Sequence, residues 1–179
     1  IGIVVVVVIA IALIIIQTRE EAKEIRIGVI LPLTGDSATY GMEIKKGIDL
    51  AIDDINEVGG VRGQQIVSIY EDDQGLPQPA VSALQKLVDQ NKVKFVIGGA
   101  FSTPALAMLP ICNRRHVLFF SPTASSPELS KSDDYFFRNW PSDTFEGNTM
   151  AAFAVSNLSL KKFAILYSNS AYGLGLRGV

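Results

Sequence analysis

Small hydroxyl residues gather just after successive apolar runs. Ser102 and Thr103 follow Phe95-Val96-Ile97-Gly98-Gly99, Thr123 to Ser126 follow Val117 to Phe120, and Tyr40 closes the loop after Ile25 to Leu31. Hydroxyls and unpaired backbone N–H groups hold a carboxylate through fixed dipoles, with no charged side chain needed. The chemistry they offer is recognition, not bond breaking. In a parallel sheet these run ends share one edge, so the groups can converge on a single cleft. The plainer reading is that Thr103 only caps a helix and Ser121 to Ser126 is only a loop. On the residues alone both readings stand.

Other chemistry is thinly represented. GxSxG, HExxH and GxxxxGK[ST] are all missing, and His116 belongs to no catalytic or metal motif and follows Arg114-Arg115 just before an apolar run, so it reads as a surface turn residue. Gly173 to Gly178 matches GxGxxG, but Ser168 to Tyr172 stand between it and the preceding apolar run, and no acidic residue follows about 20 positions later. Glu71-Asp72-Asp73 fits a solvated acidic turn better than a metal or phospho-acceptor site. The phospho-acceptor alternative needs a further Asp where this chain has Gly98-Gly99. Asn157-Leu158-Ser159 is a glycosylation sequon. No cofactor is implied.

The elements that must position these residues alternate regularly. Ile25 to Leu31 (IRIGVIL) reads as a strand covered on both faces. Ile44, Ile48, Ala51, Ile52 and Ile55 mark one face of a helix that ends at Gly59-Gly60. Gln65 to Tyr70 is a second strand, and Pro79 opens a second helix carrying Val81, Leu84, Leu87 and Val88. Lys94 to Leu109 reads as strand, tight turn and helix, with Pro104 at the first helical position and Ser or Thr as its cap. Pro110 should kink or shorten that helix. Val117 to Phe120 and Tyr135 to Arg138 read as strands, Thr144 to Leu158 as a helix and Phe163 to Tyr167 as a strand. With right-handed crossovers this order gives an α/β fold, a doubly wound parallel sheet.

Composition narrows the class further. A net charge of −2 gives no basic face, so nucleic acid is not an expected partner. A lone cysteine, Cys112, excludes an intrachain disulfide and reads as an inert buried thiol. Residues 1–16 (IGIVVVVVIAIALIII) carry no charge and precede a polar linker over residues 17–24. They read as a hydrophobic helix, either a secretory signal peptide or an uncleaved membrane anchor. No small-x-small cleavage site follows, which favours the anchor. Either way the remainder is expected outside the cytoplasm, with membrane contact through residues 1–16.

Several blocks, in order, resemble the substrate-binding proteins of branched-chain amino acid (leucine/isoleucine/valine) ABC transporters, which are type I periplasmic binding proteins. They are Ile25 to Ile66, FVIGGAFST, SPTASSPEL, FFRNWPSDTFEG and AYGLGL. The resemblance implies two α/β lobes joined by a three-stranded hinge and closing on a ligand. Residues 25–139 would form the first lobe, and 140–179 the hinge crossing and the start of an incomplete second lobe. The residues that grip the ligand's ammonium group would then lie outside this chain. By the same resemblance Ser102 binds the ligand carboxylate, with main-chain and hydroxyl groups of Thr123, Ala124 and Ser125 sharing the task. Tyr40 would cover the side-chain pocket and Tyr172 would line the cleft from the second lobe. Trp140 departs from the pattern, which has a small or polar residue at the crossing.

The resemblance implies a non-enzymatic solute receptor that delivers an amino acid or related amide to an ABC permease. The alternative is the sensing ectodomain of a membrane-anchored signalling receptor with the same fold. An enzyme binding a nucleotide through Gly173 to Gly178 is a third class, useful mainly as a control.

Overall fold

Seven residues of nearly unbroken apolar character, Ile25–Leu31, form the central strand β1, buried over its last five positions. The computed structural model describes residues 24–130 and 134–179, so the hydrophobic segment over residues 1–16 lies outside it. After β1 come α1 (Ala38–Glu57), β2 (Ile66–Asp72), α2 (Pro77–Asp89), β3 (Phe95–Gly98), α3 (Ser102–Arg115), β4 (Leu118–Ser121) and β5 (Phe136–Arg138). A 3-10 turn, Pro127–Leu129, lies between β4 and β5. The five strands pair in the order β2-β1-β3-β4-β5, every pair parallel. The direction of winding reverses between β1 and β3, and ligands of open α/β sheets sit outside the carboxyl ends at such a point.

Alternation along β1 feeds two apolar layers. Ile27, Val29 and Leu31 pack with Ile44, Ile48 and Ile52 of α1 on one face. On the other, Ile30 joins Leu84 and Leu87 of α2, Met108 and Cys112 of α3, and Phe119 of β4. Gly28 allows close approach of α2, since a Cβ there would lie 2.8 Å from Leu87 Cδ1. Burial of each large aliphatic side chain contributes about 1.5–3 kcal/mol. Cys112 is fully buried in this second layer, and burial pushes its thiol up to about 12.

Several boundaries differ from the sequence expectation. Helix α1 begins at Ala38, so Tyr40 lies in its first turn and not at the end of a loop. Helix α2 begins at Pro77, two residues before Pro79. Helix α3 begins at Ser102, capped by the extended residue Phe101, so Pro104 is its third residue and not its first. The same helix is not shortened at Pro110 but runs on to Arg115, the proline being exposed on its outer side. There a carbonyl deprived of its amide partner can be hydrated. His116 then ends α3 in the left-handed conformation and lies exposed, its Nδ1 2.7 Å from Tyr135 Oη.

The acidic triplet is not simply solvated. Asp72 Oδ1 accepts the amides of Leu33 at 2.8 Å and Gln74 at 2.9 Å, while its Oδ2 accepts the Thr34 hydroxyl. Burial opposes ionisation of Asp72, but these bonds outweigh it and hold its pKa below the ordinary value. Asp73 is fully buried, with Oδ1 accepting the Gly75 amide at 2.8 Å, and burial raises its pKa. The two carboxylates thus fix the turns that leave β1 and β2.

Beyond β5 the chain forms α4 (Asp143–Ala152), a π-helical turn (Phe153–Asn157) and α5 (Ala171–Arg177). The strand expected over Phe163 to Tyr167 is not formed. Residues 159–168 are irregular, and none of the described strands lies alongside to complete a ladder. Ile165 and Leu166 are exposed in consequence.

Candidate functional site

The loops at the carboxyl ends of β1 to β4 enclose one side of a cavity of about 710 Å3. Gly99 makes the sharp exit from β3 with a φ of +59°, and a Cβ there would lie 2.8 Å from the Phe119 ring. A side chain would be strained in that conformation and would collide with the core. The exit from β3 is tied to the exit from β4. Ser121 Oγ donates to Gly99 O at 2.9 Å and Thr123 Oγ1 to Ala100 O at 2.6 Å, while Ser126 N donates to Ser102 Oγ at 3.2 Å. Side chains on the cavity are therefore held by backbone that is itself anchored in the core.

Six of the seven residues singled out from the sequence line this cavity: Tyr40, Ser102, Thr103, Thr123, Ser125 and Tyr172. Ala124 does not. It is buried behind the lining, its amide bonded to Ser121 Oγ at 3.0 Å and its carbonyl to Arg138 at 3.1 Å. Sequence reasoning missed other lining residues, among them Ser37, Gly75, Glu146, Ser168 and Ser170. Trp140, singled out only as a departure at the crossing, lines it too, as does Phe101.

The polar groups have assignable directions. Ser102 Oγ accepts from Ser126 N, and Thr103 Oγ1 accepts from Ala171 N at 3.1 Å, so each hydroxyl proton remains available to a further acceptor. The amides of Ser102 and Thr103 precede the first intrahelical bond of α3 and have no acceptor among the described residues. Thr123 has already donated its proton to Ala100 O, which leaves its oxygen as an acceptor. An aromatic wall borders this edge. Tyr40 and Phe101 stack with centroids 5.5 Å apart and planes inclined by 18°. Gly75 leaves room for Phe101, whose ring edge lies 3.3 Å from where a Cβ would be.

The opposite wall comes from residues 140–172. Its one carboxylate on the cavity is Glu146, and no lysine or arginine is among the lining residues. Burial raises the pKa of Tyr172, and the negative charges of Glu146 and Asp143 raise it further. The two walls meet in the bond between Ala171 N and Thr103. Two of the three glycines of the GxGxxG match serve packing. A Cβ on Gly173 would lie 2.2 Å from Ser168 O, and one on Gly175 2.8 Å from Pro127 Cδ. Helix α5 has seven residues and follows no strand, unlike a phosphate-binding helix of a dinucleotide fold. Among the described residues no cluster of three or more His, Cys, Asp or Glu is placed to hold a metal ion.

Comparison with known proteins agrees with this architecture. A family model described as periplasmic binding protein matches residues 24–178. The curated Leu/Ile/Val-binding protein homolog 3 of Brucella melitensis biotype 1 is 36% identical over 154 residues, covering 86% of this chain and 42% of that protein. Among solved structures, the branched-chain amino acid transporter substrate binding protein LivJ from Streptococcus pneumoniae, in complex with isoleucine, is 34% identical. Its TM-score is 0.71, over 76% of this chain and 39% of that one. A solute binding protein of an ABC transporter from Rhodopseudomonas palustris, in complex with 3,4-dihydroxybenzoic acid, is 26% identical. It gives a TM-score of 0.77 over 87% of this chain and 42% of its own. The chain thus spans about two fifths of the length of the relatives it matches. With the family model covering nearly all of the described residues, the chain belongs to the periplasmic binding protein family.

Proposed function

We propose that this chain supplies the ligand-binding first lobe, and the start of the second, of an extracytoplasmic solute-binding protein serving an ABC permease. Its ligand is a branched-chain amino acid or a similar small zwitterion. One observation carries the reading: the cavity has hydroxyl and amide donors on its sheet side, a single carboxylate on the other, and no cationic side chain. A carboxylate group seats on Ser102, Thr103 and Ser125, and Thr123 Oγ1 and Glu146 offer acceptors to an ammonium group beside those expected outside this chain. Tyr40, Phe101, Trp140 and Tyr172 border an apolar side chain. The relatives crystallised with isoleucine and with 3,4-dihydroxybenzoic acid support a small carboxylated ligand. In this reading residues 25–139 form the first lobe, residues 140–179 cross the hinge, and residues 1–16 anchor the protein to the membrane.

Calorimetric titration of the full-length protein with leucine, isoleucine and valine, with NAD as comparison, tests the proposal. Binding of at least one amino acid and none of NAD is expected. Binding of the dinucleotide alone overturns it. Glu146→Gln should weaken leucine more than 4-methylpentanoate, its analogue without the amine.

A further inference from the structure

Arg138 ends β5 behind the cavity and belongs to no surface ion pair among the described residues. Its Nη1 donates to the carbonyls of Ala124 and Ser126, each at 3.1 Å, and its Nη2 donates to Ser130 Oγ. The carbonyl between them, Ser125 O, accepts the amide of Asp143 at 2.9 Å. Three successive carbonyls of this loop are therefore drawn to its far side. In a trans peptide the N–H of the next residue points opposite to the carbonyl, and the chain has no cis peptide among the described residues. The Ser126 amide accordingly points away from Asp143 and reaches Ser102 Oγ. The Ser125 amide must point away from Arg138. It has no acceptor among the described residues, and Ser125 lines the cavity.

Asp143, the first residue of α4, is almost fully buried, and neither carboxylate oxygen has a hydrogen-bond partner. Burial lowers the pKa of Arg138, and Asp143 opposes that shift, although the two form no ion pair within 4.0 Å. The guanidinium fork is the side chain suited to bridging two carbonyls, whereas a lysine ammonium offers a single point charge.

We propose that Arg138 is a positioning residue that turns the Ser125 N–H into the cavity to meet the ligand carboxylate. Arg138 does not touch the ligand. It acts through the Ala124–Ser125 peptide, and the inference rests on the amino acid reading given above.

The test uses full-length protein with 15N-labelled serine, as wild type, Arg138→Lys and Arg138→Met. Leucine binding is measured by calorimetry, the Ser125 amide is followed by NMR, and melting curves confirm the fold. In the wild type, leucine should move the Ser125 amide proton downfield, the mark of a new bond to an anion. Arg138→Met should bind leucine about 10-fold or more weakly and lose that shift, with Arg138→Lys between the two. Wild-type affinity, or a preserved Ser125 shift, in a folded variant overturns the inference. Should Arg138→Met not fold, Arg138→Lys alone decides by the same two readings. Failure of the wild type to bind any branched-chain amino acid ends the functional reading instead. The inference is then judged on the ligand-free protein, where Arg138→Lys must move the Ser125 amide resonance and leave Ser121 in place. Immobility of Ser125 there overturns it as well.

Discussion

The two walls of the cavity are built by opposite means. On the sheet side, the lining loops leave strands paired in one sheet, and the loops after β3 and β4 are bonded to each other. On the other side, Phe145, Phe153, Phe163, Ile165 and Leu166 all stand exposed, and the apolar stretch over Phe163 to Tyr167 has none of the described strands beside it. Both walls have apolar sequence. Only one has found partners for it. The contrast teaches that apolar pattern states a demand for burial, while precision in a site comes from polar backbone already satisfied behind it.

The contrast can be broken at its extremes. Phe119→Ala, which removes a fully buried ring from between α3 and β5, should destabilise the fold by about 3–5 kcal/mol in denaturant melts. A cost as small as that of a surface change would show that the sheet-side wall is no more rigid than the other. Ser102→Ala should weaken leucine binding by about 1–3 kcal/mol by calorimetry, through loss of a hydrogen bond to a charged group. Unchanged affinity with the fold intact would remove Ser102 from the site.

A smaller effect probes the staple at the β2 exit. Asp72→Asn should cost about 1 kcal/mol at neutral pH. Because the folded pKa of Asp72 lies below its unfolded value, the stabilisation is present above the unfolded pKa and is lost as pH falls through the folded one. The variant should therefore have a flatter acid limb in its stability-versus-pH curve. The same steepness as wild type would contradict the assignment. Smallest of all, Leu166→Ser should change stability by less than about 0.5 kcal/mol, since the side chain is fully exposed. A large loss there would mean that this wall is better packed than its geometry shows.

Much of this was legible in the residues. The alternation of strands and helices from Ile25 to Arg138 follows from apolar runs bounded by turn residues, and parallel pairing brings the run ends to one edge. That is why the hydroxyls after β3 and β4 could be grouped before any coordinates. What escaped depends on tertiary surroundings. Nothing local marks Asp73 as buried or Glu146 and Trp140 as cavity residues, because their positions are set by how residues 140–172 lie against the first wall. Of the two outcomes expected at Pro110, shortening did not occur, because the proline sits on the exposed side of a helix whose other face is packed in the core. Phe163 to Tyr167 misled because a short apolar run identifies a candidate strand but not its neighbour.

Trp140, the sole tryptophan of the chain, stands on the cavity with 51% of its surface open to water. Indole emission reports the polarity around the ring, and no second indole dilutes the reading. Anything that fills the cavity and dries that face should move the fluorescence toward the blue. Occupancy can therefore be followed in an unlabelled sample, with light alone.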